Sequence, residues 1–148
     1  MSAAIVLDST PLGILCHPRK PPHVLACRQW LAALLAAGRS VIVPEIADYE
    51  IRRELIRLGG AAALANLDSY AIQLEYLPIT TSAMRRAADL WAQVRNTGQP
   101  TAPDHALDAD VILAAQTLSV GVPAVVATGN PAHLSRFVSA ELWQNIIP

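Results

Sequence analysis

The chain has 148 residues, of which 53% are hydrophobic and only 16% charged. That composition argues against disorder, because the apolar surface is ample to offset ordering entropy. Twelve acids against eleven bases give a net charge of −1, which excludes a histone-like or ribosomal protein that works through a strong positive field.

The length fits one domain over 1–148 with a real core. Ala3–Leu7 is a short apolar run suited to a buried strand, ended by Asp8. It lacks the basic flank of a secretory signal. Ser9 or Thr10 can cap the helix that follows, with Pro11 in its first turn. Residues 17–22 hold three prolines and read as a loop. Val24–Ala37 is a predicted helix closed by Gly38. Arg28 and Gln29 interrupt its apolar run, so its clean part is far short of the ~20 residues that span a bilayer. Val41–Val43 is a second short strand, ended by Pro44.

Glu45–Leu58 is a predicted helix stopped by Gly59-Gly60, and Ala61–Gln73 is another. Tyr76–Ile79 reads as extended. Thr81 or Ser82 starts a helix running to about Asn96, followed by a loop over 97–103. A helix then runs from Asp104 or Asp108 to Ser119. Pro123–Ala127 is a strand, 128–131 a turn and Leu142–Ile147 a last strand. Short apolar strands alternating with longer helices predict an α/β domain with a parallel sheet. Cys16 and Cys27 have no metal-ligand spacing and suit two buried free thiols in a reducing cytoplasm.

In open α/β sheets, ligands bind beyond the carboxyl ends of the strands. Asp8 stands at such an end, although an Asp there also caps helices. A second acidic cluster is Glu45, Asp48, Glu50 and Glu54, interleaved with Arg52, Arg53 and Arg57. Glu45 suits the helix dipole, and Glu50–Arg53 and Glu54–Arg57 are opposite pairs at i,i+3. The apolar stripe of this helix reads as Ile46, Tyr49, Leu55 or Ile56, and Leu58, with Glu50 at its border. A carboxylate at the edge of a buried face pairs with Arg or binds a cation. The third cluster is Asp104, Asp108 and Asp110. Asp108 and Asp110 point about 200° apart on one helix, so both face one site only if the helix begins between them. Asp108 as an N-cap with Asp110 in the first turn is the ordinary alternative. Asn130, before Pro131, is most simply a turn residue, yet it also follows a strand. Carboxylates converging at strand ends suit a hard cation, Mg²⁺ or Mn²⁺.

These residues resemble the PIN domain, the fold of VapC-type toxin ribonucleases. The pattern's first Asp falls on Asp8 in Ile5-Val6-Leu7-Asp8-Ser9-Thr10. Its helical Glu falls on Glu50, after Val41-Ile42-Val43-Pro44. Its D-x-x-I/L-A-A element is Asp110-Val111-Ile112-Leu113-Ala114-Ala115. Its final acid or Asn after a Thr is Asn130, in Thr128-Gly129-Asn130. The resemblance spans Ile5 to about Phe137. It implies a Rossmann-like three-layer α/β/α sandwich with a short central parallel sheet. It also implies metal-dependent hydrolysis of RNA phosphodiesters, often in a homodimer, with an antitoxin as a further partner.

On that resemblance Asp8, Glu50 and Asp110 are the catalytic acids and bind Mg²⁺ or Mn²⁺, with Asp108 and Asn130 assisting as metal ligands. Asn130 departs from the Asp of many relatives and adds no charge. Arg19, Lys20, Arg85 and Arg86 are candidate phosphate contacts, although exposed Arg is ordinary on any surface. Other Asp-after-strand architectures fit less well. Receiver domains need a late-strand Lys, and Lys20 is the only one. Haloacid-type phosphatases need an acid where Thr10 stands. No phosphate-binding Gly loop or nucleophile elbow is present. The serious rival is a non-catalytic PIN-like scaffold for nucleic acid or protein.

Overall fold

The computed structural model describes residues 2–97 and 104–148, with side chains from Leu107 onward in the second segment. Five strands form one sheet: β1 (Ala4–Leu7), β2 (Val41–Pro44), β3 (Glu75–Leu77), β4 (Ala124–Thr128) and β5 (Ala140–Leu142). The spatial order is β3-β2-β1-β4-β5, and every neighbouring pair is parallel. The connecting helices are α1 (Ser9–Cys16), α2 (Pro22–Ala36), α3 (Glu45–Leu58), α4 (Ala61–Gln73), α5 (Thr81–Asn96), α6 (Asp104–Leu118) and the single-turn α7 (Pro131–Leu134).

Side chains alternate across the pleat, so each strand feeds two cores. Ile5, Leu7, Val41 and Val43 face a core closed by Leu12, Leu15, Leu34 and Leu67 of α1, α2 and α4. Ala4, Val6, Ile42 and Val126 face the other side, closed by Leu113 of α6 and Leu134 of α7. A parallel sheet buried on both faces explains why the strands read as unbroken apolar runs. The result is the three-layer α/β/α sandwich expected from the sequence. Helix α5 packs on α6 through Ala83, Ala87, Leu90 and Val94, a stripe at helical spacing. Among the described residues no helix is long and apolar enough to cross a membrane. Cys16 and Cys27 are buried free thiols, and burial pushes both up to about 12, so they stay protonated and inert.

The structure corrects several expectations. The last strand is Ala140–Leu142, not Leu142–Ile147. The chain then turns into a 3₁₀ helix (Trp143–Asn145), where Trp143 packs on Trp30 at 5.4 Å between ring centroids. Helix α2 begins at Pro22, because a proline at the first helical position gives up no hydrogen bond. The buried face of α3 is Ile46, Ala47, Asp48 and Ile51, whereas Tyr49, Ile56 and Leu58 are exposed. That helix packs across the end of β2 rather than flat on a sheet face, which rotates the stripe.

Candidate functional site

The sheet order reverses direction between β1 and β4: from β1 the chain moves outward to β2, and later returns to β1's other side at β4. A crevice opens at the carboxyl ends of two such strands. Asp8 follows β1 and Thr128 ends β4, side by side in register, since Leu7 pairs with Ala127.

Asp8 is fixed from two sides. Its Oδ1 accepts the Ser9 N–H at 2.7 Å, so Asp8 itself caps α1 rather than leaving that to Ser9 or Thr10. Its Oδ2 accepts the Thr128 hydroxyl at 2.7 Å. Thr128 is almost fully buried and its Oγ1 also accepts the Asn130 N–H at 3.2 Å. The turn beyond it must be glycine, because a Cβ on Gly129 would lie 2.7 Å from Thr10 Cγ2. The backbone of β4 therefore runs close against the start of α1 and holds Thr128 over Asp8.

Glu50 reaches the same end of the sheet from α3. The start of that helix has no side-chain cap of its own. One distant side chain and one of its own tie it down instead. Gln116, fully buried, accepts the Ile46 N–H at 3.1 Å and donates to the Leu77 carbonyl at 2.8 Å. Glu45 accepts the Ile79 N–H at 2.7 Å, a tether to the β3–α5 loop. One turn later Glu50 lies half-buried beside a cavity of about 400 Å³ between α1 and α3, walled by Ser9, Gly13 and Leu55.

The expected Glu50–Arg53 ion pair does not form. Arg53 stacks over the Tyr49 ring at 5.0 Å, while Glu54 and Arg57 do pair. Among the described residues no hydrogen bond or ion pair closes on Glu50. Burial, then the charges of Asp8 and Asp110, raise its pKa to about 7 against a partial opposing pull from Arg53. Asp110, half-buried on α6, is raised chiefly by burial and then by Asp8, with His133 and Arg136 pulling it back down. Glu50 thus feels the charge of both Asp8 and Asp110, and Asp110 that of Asp8, and the three lie at one end of the sheet.

Asp108 goes elsewhere. Helix α6 opens at Asp104, so Asp108 is inside the helix and not its N-cap. It is exposed and lines a groove with Trp91 and Val111 on the α5 side, as the ~200° separation from Asp110 requires. Asn130 stands beyond β4, where its Oδ1 caps α7 through the Ala132 N–H at 3.3 Å. The side chain of Asp104 lies outside the described residues. Asp48, a member of the second acidic cluster given no role of its own from the sequence, is buried and paired with Arg52 at 2.9 Å and the Tyr76 hydroxyl at 2.7 Å. Its i,i+4 spacing to Arg52 was the available signal.

Of the three carboxylates, Glu50 and Asp110 are held above their ordinary pKa, chiefly by burial. Among the described residues, no group of three or more His, Cys, Asp or Glu side chains is already arranged to hold a metal ion. Side-chain rotation would have to close the set.

No family model and no curated protein matches the sequence. The fold has clear counterparts among solved structures. One is VapBC2 from Rickettsia felis bound to a DNA fragment from their promoter (TM-score 0.70, 14% identity, covering 93% of this chain and 97% of that one). Another is DNA-bound VapBC from Salmonella typhimurium (TM-score 0.70, 23% identity, 96% and 99%). A third is FitAcB from Neisseria gonorrhoeae (TM-score 0.68, 20% identity, 96% and 99%). At these identities the likeness is one of fold: the chain has a VapC-like PIN fold over nearly its whole length.

Proposed function

We propose that this protein is a metal-dependent ribonuclease that hydrolyses RNA phosphodiester bonds at Asp8, Glu50 and Asp110. The observation that carries the proposal is the burial of the Glu50 and Asp110 carboxylates, with the charge of Asp8 at the carboxyl end of β1, beside the sheet's switch point, acting on both. Such burial of charge is costly unless a cation relieves it. Mg²⁺ or Mn²⁺ bound there would supply water activation and charge neutralisation at the phosphate. Within the chain, Asp8 is the fixed member, oriented by Ser9 and Thr128. Glu50 and Asp110 are the adjustable members. The fold of the neighbours supports a toxin's role, with an antitoxin protein and a second copy of the chain as partners.

The test is Asp8→Asn, assayed on single-stranded RNA with Mn²⁺. Loss of an outer partner of a metal typically costs 10–100-fold, so loss of this ligand is expected to lower cleavage by more than about 100-fold. Unchanged cleavage would sink the assignment. The open arrangement of the three carboxylates favours a second reading, a non-catalytic scaffold for nucleic acid or protein on the same fold. Mn²⁺ titration by calorimetry separates the two: the ribonuclease binds at millimolar concentration or better, and the scaffold does not.

A further inference from the structure

A second cavity, of about 390 Å³, runs along α5 on the side facing residues 136–137. Its polar rim is Arg86, Gln93, Thr97 and Arg136, and Leu90 and Phe137 form its floor. Along α5, Arg86 to Thr97 spans ~16 Å. The segment carrying Arg136 is held in place: the Phe137 N–H donates to the Leu134 carbonyl at 2.9 Å, and Arg136 Nε donates to the His133 carbonyl at 3.0 Å. The Arg136 guanidinium lies 5.1 Å over the Phe137 ring. Among the described residues no carboxylate forms an ion pair with Arg86 or Arg136.

We infer that this groove binds the sugar–phosphate backbone of single-stranded RNA, with Arg86 and Arg136 on the phosphates. The inference rests on the ribonuclease reading for the identity of its ligand. Two cations without acidic partners on a groove with amide and hydroxyl groups suit phosphate oxygens. Gln93 and Thr97 add neutral donors that position the strand without reading its sequence.

Fluorescence anisotropy of a short labelled single-stranded RNA, in EDTA so that no cleavage occurs, tests this. Each phosphate contact on a single strand contributes ~0.7 to the salt slope. At ~0.15 M salt, Arg86→Gln and Arg136→Gln are therefore each expected to weaken binding about fourfold, and together about 15-fold. The Lys variants are expected to retain most of the affinity. Arg57→Gln, exposed on α3 and outside the cavity, is expected to leave it unchanged. An equal loss from Arg57→Gln would mean diffuse surface charge and overturn the groove. So would RNA affinity indifferent to both arginines, or a polyglutamate peptide whose binding depends on them when RNA binding does not. Mn²⁺-dependent cleavage with kcat/KM untouched by either variant would overturn the groove and leave the ribonuclease standing. Arginine-dependent binding without any cleavage by the unmodified chain would do the reverse.

Discussion

Helix α3 carries two acids two residues apart that meet opposite fates. Asp48 is buried and fully engaged: Arg52 donates to Oδ1 at 2.9 Å and Tyr76 to Oδ2 at 2.7 Å, and Arg52 is held in turn by Asp68 at 2.8 Å. Glu50 is half-buried, and among the described residues nothing donates to it, while Asp8 and Asp110 act on it with like charge. A buried charge is tolerated when its partners are built in, and Asp48 is that case. Glu50 has the burial without the partners. The cost of that arrangement is what a functional site holds in reserve for its ligand. The contrast separates the acid that holds the fold from the acid left without a partner among the described residues.

The strongest way to break the contrast is to cut the Asp48 network. Asp48→Ala leaves Tyr76 and part of Arg52 without their acceptor in a buried place. It should destabilise the chain by about 2–3 kcal/mol, less than a fully buried pair because Asp68 still holds Arg52. Urea denaturation would show this as a lower midpoint with an unchanged slope. Cleavage per folded molecule should survive. A variant that unfolds no earlier than the unmodified chain would remove the distinction between the two acids.

Glu50→Gln should act in the opposite sense. With its folded pKa raised from 4.5 to about 7, the fold disfavours the ionised form. The stability Glu50 contributes is therefore fully present below about pH 4.5 and is lost as the pH rises through about 7. Gln remains neutral throughout. In EDTA the variant should match the unmodified chain near about pH 4 and exceed it by roughly 1–2 kcal/mol near about pH 8, allowing for solvent screening of a half-exposed group. Excess Mn²⁺ should reverse the order, since only the unmodified chain gains stability by binding it. Melting temperatures across pH, with and without Mn²⁺, check both halves. A variant less stable at high pH without metal would show that Glu50 has a hidden partner.

Much of the fold was legible because punctuation was strong. Pro44 and Gly59-Gly60 set both ends of α3, and Gly60 and Leu74 bracket α4, so both helices fall where the sequence placed them. The all-parallel sheet followed from apolar runs that lack alternation. The carboxylates were legible for a different reason: Asp8 sits directly after a strand, a local feature, and the family resemblance placed Glu50 and Asp110. What escaped depends on contacts far apart in sequence. Gln116 looks like an ordinary helix polar residue until it meets Ile46 and Leu77 across the molecule. Arg53 has a choice between Glu50 and Tyr49 that i,i+3 spacing alone does not decide. Arg136 is remote from the other bases in sequence, and only the α5 groove gives it a partner in Arg86. The opening of α6 at Asp104 separated Asp108 from Asp110, which spacing had left open.

Thr128 supplies the finest test of the contrast, since it gives Asp8 one of the built-in partners that Glu50 lacks. Its hydroxyl donates to Asp8 Oδ2 at 2.7 Å and accepts from the Asn130 N–H at 3.2 Å. Thr128→Val keeps the shape and removes both bonds. Stability should fall by about 1 kcal/mol, one buried hydrogen bond's net worth. Mn²⁺ affinity should fall about 10-fold, the low end of what an orienting partner carries. Thr128→Ser, which keeps the hydroxyl, should restore most of the affinity even if the lost methyl costs some stability. Calorimetric titration of the three proteins measures the first quantity and thermal melts the second. If Val and Ser lose metal affinity equally, the methyl packing matters and the hydroxyl does not. Asp8 would then be held by the α1 cap alone, and the two acids at the sheet's end would be more alike than their surroundings indicate.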